Sequence, residues 1–142
     1  MTIAAILASN PHEVVTIPGE MRVADAVAIL SDRHIGALPV MAGRAVAGIF
    51  SERDVIHCLR VDGAAVLDWP VERVMTAPAV TVGRDDRILG ALSLMTQRRI
   101  RHLPVVEGGA LVGFVSIGDL VKYRIDRIEE EAMAMREYIQ GA

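Results

Sequence analysis

Hydrophobic and polar positions along this chain follow one succession of periods, and the succession occurs twice. Short β-branched runs, "VVTI" (Val14 to Ile17) and "AVTV" (Ala79 to Val82), read as strands. Apolar residues at helical spacing follow: Val23, Ala26, Val27 and Leu30 in one case, Ile88, Ala91, Leu92 and Met95 in the other. Asp25 in the first turn and Arg33 in the last suit the dipole of the former helix. Next come "ALPVM" and "AVAGIF" around the glycine turn "AGR", matched by "HLPVV" and "ALVGFV" around "EGG", which predict two hairpins. A second helix follows Ser51 and Ser116. The predicted order is strand, helix, strand, strand, helix, stated twice.

The two halves superimpose at an offset of 65, with 14 identities over the 40 positions from Val15 to Asp54 against Val80 to Asp119. A short apolar segment precedes each copy, "IAAILA" at Ile3 to Ala8 and "VERVMT" at Val71 to Thr76. Two copies of a unit this small do not make an array. Neither buries much surface alone, so a pair packed about a pseudo-two-fold axis is expected. The segment Val61 to Pro70 reads as the connection, with Trp69 plugging an apolar gap.

Composition narrows the picture. The chain of 142 residues is 52% hydrophobic and only 4% aromatic, so its core must be aliphatic. A net charge of −3 argues against a general nucleic-acid binder. Cys58 is the single cysteine, so it forms no intrachain disulfide, and it reads as a small buried hydrophobe on a helix. The first ten residues lack the basic region of a signal sequence and their apolar stretch is too short for one, and no apolar run approaches membrane-spanning length, so a cytoplasmic protein is expected. His12, His34, His57 and His102 are dispersed, without metal-ligand spacing, and no phosphate-loop or nucleophile-elbow motif is present, so no enzymatic activity is expected.

The feature with chemistry in it is Ser-x-x-Asp at the start of each second helix, Ser51 with Asp54 and Ser116 with Asp119. Its plain reading is a capping box, in which the hydroxyl and the acid satisfy orphan N–H groups. The same helix start also suits a phosphate, through free N–H groups and the positive end of the dipole. Glycine three residues earlier, Gly48 and Gly113, removes a side chain from the strand, for close packing or for a ligand.

Two β-α-β-β-α copies, "IGALPV" and "IRHLPV" before the third strand, and G-h-h-S-x-x-D (h, hydrophobic) at the last helix together resemble a tandem pair of CBS domains, named for cystathionine β-synthase. The resemblance covers nearly the whole chain and implies an α/β (α+β) module of two packed repeats. It places repeat 1 at 1–62, a linker at 63–70, repeat 2 at 71–124 and a helical tail at 125–142. It implies two composite clefts for adenosine-containing ligands: AMP, ADP, ATP, NAD(H) or S-adenosylmethionine. The Asp would hold ribose, the Ser would assist at ribose or phosphate, and apolar residues would sandwich the base. One cleft would take Val14, Val15, Ile35, Gly36, Arg101, His102, Phe114, Ser116, Gly118 and Asp119. The other would take Ile49, Ser51, Arg53, Asp54, Thr76, Pro78, Val80, Ile100 and Arg101. Arg98 and Arg99 read instead as cations completing a helix C-terminus. The implied role is a regulatory sensor with no catalytic cofactor, an unknown protein target and a homodimeric state. The rival is a scaffold whose Ser-x-x-Asp pairs are only caps.

The last helix carries a further pattern. Val121, Ile125, Ile128, Ala132, Met135 and Ile139 are spaced four, three, four, three, four, an a/d seam of nearly three heptads. It is expected to pair between molecules rather than fold back on its own body.

Overall fold

In the computed structural model, which describes residues 1–141, the helical spacing of the apolar residues becomes α2 (Val23–Arg33) and α4 (Ile88–Arg98). Each turns its Val/Ile, Ala and Leu/Met positions inward: Val23, Ala26 and Leu30 in α2, Ile88, Ala91 and Met95 in α4. Val27 and Leu92 lie at the margins of the cores. Both helices end on a residue in the left-handed conformation, His34 and Arg99, each at φ 54°. Glycine is the usual residue there, and the repeat keeps the shape with two side chains that carry it less easily.

Strands β2 (Ala37–Ala42) and β3 (Ala45–Ser51) form one antiparallel hairpin, and β4 (His102–Glu107) and β5 (Ala110–Ser116) form the other. Gly43 turns the first at φ 63°, and Gly108 and Gly109 turn the second at 57° and 77°, where other residues would be strained. Both hairpins shift register at equivalent places, Val40/Met41 and Val105/Val106.

The strands expected at Val14–Ile17 and Ala79–Val82 are corrected by the structure. The first survives as β1 (Ile17–Pro18), parallel to β2, and the second only as a bridge from Val82 to Val105. Proline sets the limit. Val82 donates to the Pro104 carbonyl and accepts from the Val106 amide, at 3.0 and 2.9 Å. A parallel ladder continuing back to Val80 would need an N–H from Pro104, which has none, and Pro39 stops the first copy in the same way. The residues upstream therefore leave the sheet.

The leading apolar segments are exchanged between the halves. Helix α1 (Ile3–Ser9) buries Ile3 and Ile6 among Val82, Ile88, Ala91, Met95, Leu103, Val105, Val115 and Leu120, the core of the second half. The segment before the second half buries Val71 among Ile17, Val23, Ala26, Leu30, Leu38, Val40 and Phe50, the core of the first. Bridges Thr2–Arg87 and Arg22–Pro70 mark the same exchange on the backbone. Each half thus lacks part of its own core, which couples the two repeats.

The connection is ordered by short 3₁₀ turns over Gly63–Asp68 and Val71–Arg73. Trp69 lies against the first core but is only partly buried, and the Arg73 guanidinium covers its ring at 3.6 Å. The full plug is Val66, with no exposed surface. Helix α3 (Glu52–Asp62) contains no buried residue, so Cys58 is half-buried rather than a core hydrophobe, and burial together with Asp54 and Asp62 pushes its thiol pKa up. Helix α5 (Ile117–Gly141) anchors through Leu120 and continues unbroken to Gly141. The expected tail, 125–142, ends on a residue outside those described. Among the described residues no helix is long and apolar enough to cross a membrane.

Candidate functional site

The sheet edges, the helix starts and the detached upstream segments meet in two cavities. The larger, about 580 Å³, is lined by Ile49, Ser51, Arg53, Asp54, Thr76, Pro78, Val80, Ile100 and Arg101, with Arg98, Arg99 and others around them. The smaller, about 330 Å³, is lined by Val14, Val15, Ile35, Gly36, His102, Phe114, Ser116 and Asp119, with His12, Glu13, His34 and Ala37. Both volumes suit a small organic ligand.

All nine residues expected in the larger cleft are brought together there. In the smaller cleft two expectations are corrected: neither Arg101 nor Gly118 lines it. Gly36 and His102 border both cavities, and a Cβ on Gly36 would stand 3.3 Å from the His102 ring. These two residues form the partition, and the Arg101 side chain goes to one side of it. Gly118 is exposed and has no side chain with which to reach across, whereas Arg53, its counterpart 65 residues earlier, does reach. Arg98 and Arg99, expected only to complete a helix end, line the larger cleft. The left-handed turn at Arg99, which sequence spacing does not reveal, places them at that wall.

Both Ser/Asp pairs are helix caps. Ser51 N–H donates to Asp54 Oδ2 at 2.9 Å, and Asp54 N–H donates to Ser51 Oγ at 3.3 Å. Ser116 and Asp119 repeat this at 2.9 and 3.1 Å. The copies differ at the second carboxylate oxygen. Thr76 Oγ1 donates to Asp54 Oδ1 at 2.9 Å. No such bond reaches the other oxygen of Asp119 among the described residues, because the equivalent position before the first half is Pro11.

The two glycines serve packing. A Cβ on Gly48 would lie 2.7 Å from the Thr76 carbonyl oxygen, and one on Gly113 would lie 2.7 Å from Leu7 Cδ2. The close approach at Gly48 lets Ile49 and Thr76 exchange backbone hydrogen bonds of 2.9 Å, which fixes Thr76 beside Asp54.

Charge separates the clefts. The larger carries four guanidinium groups, from Arg53, Arg98, Arg99 and Arg101, against the carboxylates of Glu52 and Asp54. Arg53 crosses between the halves to donate to the Arg99 carbonyl at 2.8 Å, capping the end of α4. Among the described residues the smaller cleft has no arginine or lysine, and it offers three histidines, Glu13 and Asp119. His102 stacks on Phe114, ring centroids 5.5 Å apart. Burial lowers its pKa; Asp119 and Glu52 oppose that shift and Arg101 adds to it.

The family model for the CBS domain matches residues 9–61 and 71–126. The chain belongs to the CBS-domain family. A mitochondrial CBS domain-containing protein of Arabidopsis thaliana, CBSX3, is 37% identical over 122 residues, which cover 82% of this chain and 59% of that protein. The crystal structure of the CBS-domain containing protein ATU1752 from Agrobacterium tumefaciens superimposes with a TM-score of 0.83 at 34% identity, over 87% of this chain and 99% of that one. A more distant CBS protein, CBSX2 in complex with AMP, shares the fold at a TM-score of 0.70 and 23% identity, over 80% of this chain and 88% of its own. The α/β architecture of two CBS repeats followed by a C-terminal helix is therefore that of a CBS-pair module.

Proposed function

We propose that this CBS pair is a regulatory sensor of adenosine-containing ligands, acting as a homodimer on a protein target rather than as a catalyst. The observation that carries the reading is the larger cleft, where Asp54 at a helix start, four arginines and the apolar Ile49, Pro78 and Val80 line one cavity of about 580 Å³. Asp54 would accept from ribose hydroxyls, Ile49, Pro78 and Val80 would flank the base, and the guanidinium groups would hold phosphates. The AMP complex of CBSX2 supports this ligand class. In the smaller cleft Asp119 Oδ1 is available to ribose, while the missing cationic groups favour a ligand part with little or no phosphate. Two unequal sites fit either two ligands or the halves of one dinucleotide such as NAD(H). Regulation then requires that the ligand bind one arrangement of the repeats better than another. The exchanged segments α1 and Val71 are the elements that would transmit the difference.

Isothermal titration with AMP, ADP, ATP, NAD(H) and S-adenosylmethionine tests the reading. Binding below millimolar for at least one ligand is expected, with loss in Asp54→Ala or Asp119→Ala according to the cleft. Absence of binding by all five, or binding that survives both substitutions, would overturn it.

The closed capping boxes favour one rival, a scaffold in which the Ser/Asp pairs serve only the helices. Thermal unfolding separates the two. A ligand that binds the native state raises the melting temperature, by an amount that grows with the logarithm of its concentration above the dissociation constant, whereas a scaffold shows no shift with any nucleotide.

A further inference from the structure

The seam of α5 is exposed in the single chain. Val121 is 41% exposed, Ile128 48%, Met135 59% and Ile139 65%, so the apolar stripe does not fold back on the body. Flanking positions of the heptad carry Lys122, Glu129 and Arg136 on one side and Arg124, Glu131 and Tyr138 on the other. Arg124, Glu129, Glu131 and Arg136 form no ion pair among the described residues, while Lys122 pairs with Asp126 and Arg127 with Glu130.

The spacing of the seam reads the same in both directions about residue 130, so apolar contacts alone accept a parallel or an antiparallel second helix. The flanking charges decide between them. In a parallel pair in register, each flanking residue meets the one five positions later on the other chain. Arg124 then faces Glu129 of the partner subunit and Glu131 faces Arg136 of the partner subunit, giving four interchain pairs with the symmetry-related set. An antiparallel pair brings Glu129 and Glu131 against their own copies and Lys122 against the partner's Arg136, all repulsive, and sets Arg124 against the uncharged Tyr138 of the partner subunit. We propose that the α5 segments of two copies pair as a parallel, in-register, two-stranded coiled coil. The helix is already nucleated, since buried Leu120 and the Asp119 cap hold its first turns, so the usual cost of starting a short helix does not oppose pairing. The proposal rests on the homodimeric part of the functional reading and is independent of any ligand, because no seam residue lines a cleft.

The test uses the full chain with Cys58→Ser and a single new thiol, Ile139→Cys. A parallel pair places the two thiols side by side, and mild oxidation is expected to convert most of the protein to a disulfide-linked dimer. An antiparallel pair separates them by about 27 Å, eighteen residues of helix, and only a mixture of Val121→Cys and Ile139→Cys chains would then cross-link. Sedimentation equilibrium supplies the second arm. Arg124→Glu is expected to weaken the dimer about tenfold or more, two attractive pairs becoming repulsive, and Arg124→Glu/Glu129→Arg to restore it. A monomer at 100 µM (on the order of any useful dimer affinity), cross-linking only in the mixture, a dimer indifferent to Arg124→Glu, or a failure of the double reversal to rescue would each overturn the proposal. Nucleotide titration of the same variants reports separately on the clefts.

Discussion

Gly48 and Gly113 occupy equivalent positions in the two repeats, yet alanine should be tolerated very unequally at them. At Gly113 the added methyl would meet Leu7 Cδ2 at 2.7 Å and Cδ1 at 3.0 Å, the free end of a side chain on the surface helix α1. Leu7 can change rotamer. At Gly48 the methyl would meet the Thr76 carbonyl oxygen at 2.7 Å, with Met75 Sδ at 2.8 Å behind it. That carbonyl is the acceptor from Ile49, and Thr76 N–H donates back to Ile49, each at 2.9 Å. Restoring an ordinary separation of about 3.4 Å or more means moving backbone and losing one or both bonds. Overpacking of this kind costs about 1–3 kcal/mol, and a lost backbone bond adds about 1 kcal/mol. Gly48→Ala should therefore cost about 2–4 kcal/mol, and Gly113→Ala less than about 1 kcal/mol. With a domain of this size, roughly 3–4 °C of melting temperature per kcal/mol is expected, so a loss on the order of 10 °C against a few degrees would be seen in thermal unfolding followed by circular dichroism. The displaced segment also carries Thr76 away from Asp54, so a ligand of the larger cleft should weaken in Gly48→Ala alone. Equal melting temperatures for the two variants would refute the reasoning, since they would mean that the backbone at Thr76 yields as readily as a leucine tip.

Asp54→Ala removes bonds from Ser51 N–H, Ser51 Oγ and Thr76 Oγ1, whereas Asp119→Ala removes the single acceptor of Ser116 N–H. Urea unfolding should show losses of about 2 and about 1 kcal/mol respectively. His102 has its pKa lowered by burial, so the unfolded chain binds the proton more readily. Its contribution to stability is complete above the unfolded value of about 6.5 and falls away as pH drops from there through the folded value. His102→Gln should flatten the pH profile of the melting temperature below pH 6.5, and an unchanged slope would exclude His102 as its source. Arg73→Ala uncovers the Trp69 ring; a red shift of the emission of this single tryptophan is expected, with a loss of about 0.5–1 kcal/mol.

The sequence alone determined the repeat, the order of its elements and which helix faces are buried. The pairs Ile17/Val82, Val23/Ile88, Ala26/Ala91, Leu30/Met95, Leu38/Leu103 and Val40/Val105 all enter equivalent cores. Those readings succeed because periodicity records which side of an element faces water, and that is a local property. The Ser/Asp caps were legible for the same reason, since a cap is satisfied within one turn. The late start of the first strands was not legible, because the limit set by Pro39 and Pro104 follows only once the partner of each strand is known. What the tertiary structure decided is non-local. It exchanged α1 and Val71 between the halves, each completing the core of the other repeat. It set four arginines around the larger cleft and, among the described residues, none around the smaller, because Arg53, Arg99 and Arg101 stand where the other repeat has Gly118, His34 and Gly36, while Arg33, the counterpart of Arg98, does not reach the smaller cleft. A repeated motif therefore specified where two sites lie, and the unrepeated residues around them, brought together only by packing, made the two sites different.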